Sequence, residues 1–323
     1  MTHHDTPAAH PTHRRWRTAF LAAAAVTFTA AASVTFMPSA SAATFNLEGW
    51  GAGTTGGGSA AAVTVTNASQ LTSNMQASGA RVIRVSGTIN ISGMQKVASN
   101  KTLIGVGANA AITGGGLNVA NASNVIIRNI NFRNWADDAV NVQYSTRVWI
   151  DHNTFSNGYD GAVDVKRASD LVTISWNRFF NHDKTALLGH SDGNGAEDRG
   201  KLRVSYHHNY FDGTNQRHPR VRFGNPVHVF NNYYRSTGGY GVASTCGAGV
   251  LVEGNYFENV SDPYHRGEGS SPVGGLVARD NHKVNSGAGQ TGGSVATIPY
   301  RYTLDPAANV KSIVTGGAGT GKI

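Results

Sequence analysis

The tripeptide Asn-x-aromatic recurs along this chain at an interval that few architectures allow. Asn153-Thr-Phe155, Asn177-Arg-Phe179, Asn209-Tyr-Phe211, Asn232-Tyr-Tyr234 and Asn255-Tyr-Phe257 each close a short β-branched or aromatic run, and Phe132 stands one interval ahead of them. From Phe132 the aromatic advances by 23, 24, 32, 23 and 23 residues, so one step carries about nine extra residues and the others agree. A period in this range marks a solenoid, in which each repeat buries its apolar face on its neighbours.

The repeat unit decides which solenoid. Val125 to Ile127, Val148 to Ile150, Leu171 to Ile174 and Val227 to Phe230 suit strands and are flanked by Gly, Asn, Asp or Ser. No unit offers a long apolar stripe at helical spacing, which excludes helical repeats. Asn suits a sharp corner because it tolerates left-handed backbone and bonds locally. Stacked in register, the Asn side chains bond to one another while the aromatics two residues on stack in the core. The expected fold is all-β, a single-stranded right-handed parallel β-helix. An antiparallel sandwich with coincidentally similar strands is the alternative.

The ends follow the same logic. Asn67 caps a short helix whose Leu71 and Met75 make one apolar face, a suitable cover for the open N-terminal end of the coil. Strands over Arg81 to Val85 and Thr102 to Ile104, with a glycine turn at Gly114 to Gly116, then begin the coil. The tail from Ser286 is Gly-rich and is expected to pack, irregular, along the outside. Residues 1–42 read as an export signal, with Arg14, Arg15 and Arg17 before an uncharged Ala-rich stretch and the small-residue site Ala40-Ser-Ala42. A single catalytic domain over 43–323, without a membrane anchor after cleavage, follows from that reading.

Only 14% of residues are charged, 40 are glycine and the formal charge is +8, so acidic ligands are plausible partners. Nucleic acid is one candidate, but Lys and Arg are scattered rather than run together, and a polyanionic carbohydrate fits the same sign of charge. Cys246 is the single cysteine; no internal disulfide is possible, and it reads as a small buried apolar residue.

Two stretches break the ladder's pattern. In Tyr159-Asp-Gly-Ala-Val-Asp-Val-Lys166, Val163 and Val165 point inward, so Asp160 and Asp164 face solvent on one side, with Asp137-Asp138 one turn earlier. Such carboxylates on neighbouring strands offer hard oxygen ligands suited to Ca²⁺, or are plain surface charge. A fully extended strand separates Asp160 from Asp164 by roughly 13 Å, so sharing an ion requires a bend, which Gly161 permits. The second stretch, Arg217-His-Pro-Arg-Val-Arg-Phe-Gly224, is a cationic strip whose Arg217, Arg220 and Arg222 suit carboxylate or phosphate clamping. Pro219 places it on an exposed edge strand, on that reading or as a solvated basic edge.

Trp149-Ile-Asp-His152, Asp160-Gly-Ala-Val-Asp164-Val-Lys, Val172-Thr-Ile-Ser-Trp-Asn177, His182-Asp-Lys184, Tyr206-His-His-Asn209 and Arg217-x-Pro-x-x-Arg222 resemble, in order, the extracellular pectate lyases of the parallel β-helix class. Weaker similarity runs from about Gly49 to the Gly316-Gly-Ala-Gly319 region. The resemblance implies a secreted enzyme in which Asp138, Asp160 and Asp164 hold calcium, Lys184 and Arg222 bind substrate carboxylate, and Arg217 removes the C5 proton of polygalacturonate for β-elimination. Arg220 is expected to join the substrate-binding set, and a monomer is expected. Ala136 stands where some members carry a further aspartate, which leaves the number of calcium ions open. The alternatives are a pectin lyase acting on methylated pectin, a hydrolase using paired carboxylates, and a non-catalytic glycan-binding β-helix.

Overall fold

A computed structural model describes residues 47–323, within a compact unit of Thr44–Ile323. The export-signal reading falls outside the described residues. Among these residues the chain winds repeatedly through three short strands per turn, for example Thr146–Asp151, Thr154–Ser156 and Val163–Lys166, before returning at Asp170–Ser175 beside the first. Corresponding strands pair in parallel and build three sheets. The coil is a right-handed parallel β-helix, the hand that crossovers between parallel strands of one sheet almost always take.

The repeated tripeptide explains the register. Phe155 pairs with Phe132 and Phe179, and Phe211 with Phe179 and Tyr234. Their rings stack in the fully buried core at centroid separations of 5.1, 5.0, 5.1 and 4.9 Å, from Phe132 through to Tyr234, and Phe257 continues the column at 4.5 Å. Ladder asparagines are buried as well. Nδ2 of Asn153 donates to Oδ1 of Asn177 (3.1 Å), and the same bond repeats from Asn177 to Asn209, Asn232, Asn255 and Asn281 at 2.9 to 3.0 Å. Asn281 is a further rung without the aromatic.

One expectation needs correction. Ladder asparagines do not take the left-handed backbone; the residue before each does, at His152, Trp176, His208, Asn231, Gly254 and Asp280. The corner bends there, so the asparagine is left free to satisfy buried amides: Oδ1 of Asn177 also accepts from the Asn153 N–H at 2.9 Å. Asparagine is kept for that accounting rather than for its tolerance of positive φ.

The N-terminal end is covered. The helix Ala68–Gln76 begins at Asn67, whose Oδ1 accepts from the Gln70 N–H at 3.0 Å, and it buries Leu71 and Met75. The glycine-rich start crosses the outside of the first sheet. Gly49 has φ +100°, and a Cβ there would collide with Ser205, so glycine is required. The tail lies on the outside as expected but is not wholly irregular. Its helix Val310–Gly317 buries Val310 and Val314 against Tyr210, Tyr233 and Tyr256, which stand outward next to the core aromatics. Cys246 is buried in the core cluster. Among the described residues no helix is long and apolar enough to cross a membrane.

Candidate active site

The third sheet of each turn and the bend leading into it hold nearly all the residues singled out above. In Val163–Lys166, Val163 and Val165 are fully buried in the coil, so Asp164 and Lys166 project from its outer face. Asn141 lies in register beside Asp164 one turn earlier, and Leu187 one turn later donates its N–H to Asp164 Oδ1 at 3.1 Å. Facing outward is not the same as facing solvent. Asp164 is only 3% exposed and Asp138 6%, against the expectation of open carboxylates. Neighbouring turns and the side chain of Lys166 cover them.

Asp160 precedes the strand, in the bend, and so the separation of an extended chain does not apply. A Cβ on Gly161 would run into the Asp164 carboxylate, which shows how tightly the bend folds back over it. Asp160 Oδ1 lies 3.2 Å from Nζ of Lys184 and 3.6 Å from Nη1 of Arg217, without a hydrogen bond of proper geometry to either. Lys184 and Arg217 thus converge on one carboxylate oxygen. The Arg217 backbone is left-handed (φ 64°), its carbonyl accepts from Ala186 N (2.7 Å) and from the Thr185 hydroxyl, and its Nε is buried without a partner.

The arginine strip is not an edge. Arg220–Arg222 pairs on one side with Leu187–Leu188 and on the other with Val242–Thr245, in the interior of the third sheet. Pro219 sits just before the strand, where its missing N–H costs no ladder bond. In a solenoid a strand paired on both sides still offers one outer face, and that face carries Arg220 and Arg222. Arg220 Nη2 donates to Ser271 Oγ (2.8 Å) and to the Glu268 carbonyl (3.2 Å). Arg222 Nε donates to Asp192 Oδ1 (2.6 Å), which also accepts from Ser271 Oγ (2.8 Å). Asp192 belongs to the extra residues of the long repeat step, between Leu187–Leu188 and Val204–His207.

Electrostatics mark the acidic end. Burial, then the charge of Asp164, pushes the Asp138 carboxyl up to about 6, and burial likewise raises Asp164. Lys166 Nζ lies between them, 2.8 Å from Asp138 Oδ2 and 3.4 Å from Asp164 Oδ2. Among the described residues no three of His, Cys, Asp and Glu form a ready metal cage. Yet the donor set fits a hard divalent cation: three carboxylates, an Asp160 oxygen lacking a hydrogen bond, and a buried Asn141 Oδ1 without a partner. Asn141, Lys166 and Asp192 were given no role from sequence. Asn141 was findable as the residue one period before Asp164, and Lys166 by its place two residues on, on the same face of the strand. Asp192 had no signal.

The sequence profile that describes pectate lyases matches residues 22–323. The chain belongs to the pectate lyase family. A probable pectate lyase A of Aspergillus fumigatus is 41% identical over 250 residues, covering 74% of this chain and 76% of that protein. A pectate trisaccharide-lyase of Bacillus licheniformis is 37% identical over 306 residues, 87% of this chain and 88% of its own. The crystal structure of a pectate lyase from Bacillus sp. N165 in complex with trigalacturonate superposes with a TM-score of 0.79 at 32% identity, covering 85% of this chain and 99% of that one. This pectate lyase is therefore a polysaccharide lyase built as the parallel β-helix its repeat implied.

Proposed function

We infer that this lyase is secreted after loss of residues 1–42 and cleaves polygalacturonate by calcium-dependent β-elimination at the outer face of the third sheet. The observation that carries the reading is the meeting of Lys184 and Arg217 at Asp160, beside the buried Asp138 and Asp164. That juxtaposes a cation for the uronate carboxylate and the proposed base with a carboxylate set for a metal.

Asp138, Asp160 and Asp164 are the residues that would hold Ca²⁺; when bound, it supplies Lewis-acid stabilisation of negative charge on the substrate carboxylate. Lys184 and Arg222 bind that carboxylate as charge-assisted donors, and Arg220 extends the cationic face along the chain of sugars. Arg217 takes the proton from C5. The negative charge that develops next to the carboxylate meets the donors already in place, so their contribution grows toward the transition state. Breaking the C4–O bond leaves a 4,5-unsaturated sugar, the departing oxygen takes up a proton and ends the released chain as a hydroxyl, and no water attacks. The enzyme acts as a monomer on this reading.

The test is absorbance in the near ultraviolet during incubation with polygalacturonate, with and without chelator, for wild type and Asp164→Ala. Elimination creates a conjugated double bond and hydrolysis does not. Reducing ends without ultraviolet absorbance would indicate a hydrolase, and full activity in excess chelator, or in Asp164→Ala without added calcium, would sink the calcium requirement.

A further inference from the structure

Two buried carboxylates side by side need a positive charge, and this chain carries one of its own. Asp138 and Asp164 have side chains 8% and 4% exposed, and between them lies the ammonium of Lys166, at 2.8 and 3.4 Å, itself only 16% exposed. The arrangement follows from strand geometry. Val163 and Val165 must face the core, so residues 164 and 166 share the outer face two positions apart. A four-carbon stem at 166 can then reach back over Asp164 to Asp138, which lies on the preceding turn. Gln143, the register neighbour of Lys166, adds no charge, while Asp137, Asp160 and Arg217 complete the charged groups around the pair.

We propose that Lys166 is a built-in counter-cation of the acidic pair, competing with calcium for Asp138 and Asp164 and so setting both the metal affinity and the calcium-free stability of this lyase. The proposal rests on the assignment of Asp138, Asp160 and Asp164 as the metal-holding set. Lysine suits the task because its charge is compact, strongly hydrated and carried on a flexible stem, so it can withdraw to solvent when a divalent cation takes the carboxylates. Arginine would grip them with a planar fork and give way less readily. A neutral residue would leave the two carboxylates uncompensated, a costly state for buried charges. It would also remove the repulsion that an arriving divalent cation meets.

Calorimetric titration of Ca²⁺ into chelator-stripped full chain tests this, with melting temperatures in chelator and in excess calcium as an independent readout. Lys166→Gln is expected to bind calcium about tenfold more tightly than wild type, since one removed unit charge at this range is worth at least that factor. It should melt several degrees lower in chelator and recover in calcium. Lys166→Arg should melt like wild type in chelator and bind calcium more weakly. If Lys166→Gln folds only with calcium, the proposal stands. Should it fail to fold at all, Lys166→Arg decides: affinity equal to or tighter than wild type overturns the proposal. Unchanged calcium affinity and unchanged melting in chelator for Lys166→Gln also overturn it. A wild type that binds no calcium would instead remove the metal-site reading itself, and the competition with it.

Discussion

Arg222 Nε donates to Asp192 Oδ1 at 2.6 Å, so a carboxylate of the chain itself holds the arginine proposed to receive the substrate's carboxylate. The hydrogen bond from Arg222 keeps Asp192 down at about 2. A carboxyl with a depressed folded value gives stability that is present above its unfolded value and lost as pH falls through about 2, so the pair persists at any working pH. With Arg222 in its proposed role, substrate must displace it.

Asp192→Asn should therefore lower KM on polygalacturonate two- to fivefold with kcat unchanged, because an exposed ion pair is worth no more than about 1 kcal/mol. Steady-state kinetics between pH 6 and 9 measure it. A raised KM would mean that Asp192 orients Arg222 for the substrate rather than competing with it.

The asparagine ladder makes a prediction about stability alone. Asn177 donates to Asn209 Oδ1 (3.0 Å) and the Ile150 carbonyl (2.9 Å) and accepts from Asn153. Asn177→Ala strands those buried partners and should cost about 3 kcal/mol. Urea unfolding followed by circular dichroism will show it as a lower midpoint, with activity at room temperature retained. An unchanged midpoint would mean that water replaces the side chain.

Much of this was legible in the chain because a solenoid repeats its instructions. Phe132 to Phe257 fix the core column, and the Asn rungs fix the register, since each depends only on its neighbours one period away. The placement of the candidate residues was legible, their exposure less so. Alternation correctly put Val163 and Val165 inside and Asp164 outside, but it is blind to cover by the next turn, and Asp164 is buried. Pro219 misled for a related reason: a proline beside a strand says nothing of whether the strand has neighbours. Asp192 lies in the one repeat step that departs from the period, where periodicity carries no information.

Acid should destabilise the fold through its histidines. Burial pushes His218 down to about 4 from an ordinary 6.5, and burial also lowers His207, His208 and His228. The Nδ1 atoms of His207 and His208 face each other at 2.9 Å, an arrangement that suits one proton and not two. Their stability contribution is complete above 6.5 and is lost as pH falls toward 4, because the unfolded chain binds more protons there. Asp138, held up to about 6, and Asp164, also raised by burial, oppose this but are outnumbered by the buried histidines. The melting temperature in chelator should fall from pH 7.5 to 5.5, and one that rises over that range contradicts the account.

Pectate or lightly esterified pectin should be cleaved faster than fully methylated pectin. An ester removes the charge that Lys184 and Arg222 are proposed to recognise and is a poorer ligand for a hard cation. Initial rates on the two polymers decide it, and faster cleavage of the methylated one would place the chain on the pectin lyase branch.

Arg217 as the base makes the most demanding prediction, since a guanidinium holds its proton tightly and its protonated form cannot accept another. The backbone on either side is fixed: Ala186 N and the Thr185 hydroxyl hold the Arg217 carbonyl. Nη1 stands 3.6 Å from Asp160, beyond hydrogen-bond reach, and Nε has no partner. General-base catalysis by Arg217 predicts a rate that rises into the alkaline range, with an optimum above pH 8. Arg217→Lys keeps a positive charge near Asp160 but changes reach and geometry. If Arg217 is the base, kcat drops by roughly a hundredfold or more, the scale of lost general-base catalysis, while KM and calcium binding barely move. Retained kcat with raised KM would make Arg217 a substrate clamp, and Lys184, at the same Asp160 oxygen, would be the next candidate for the base.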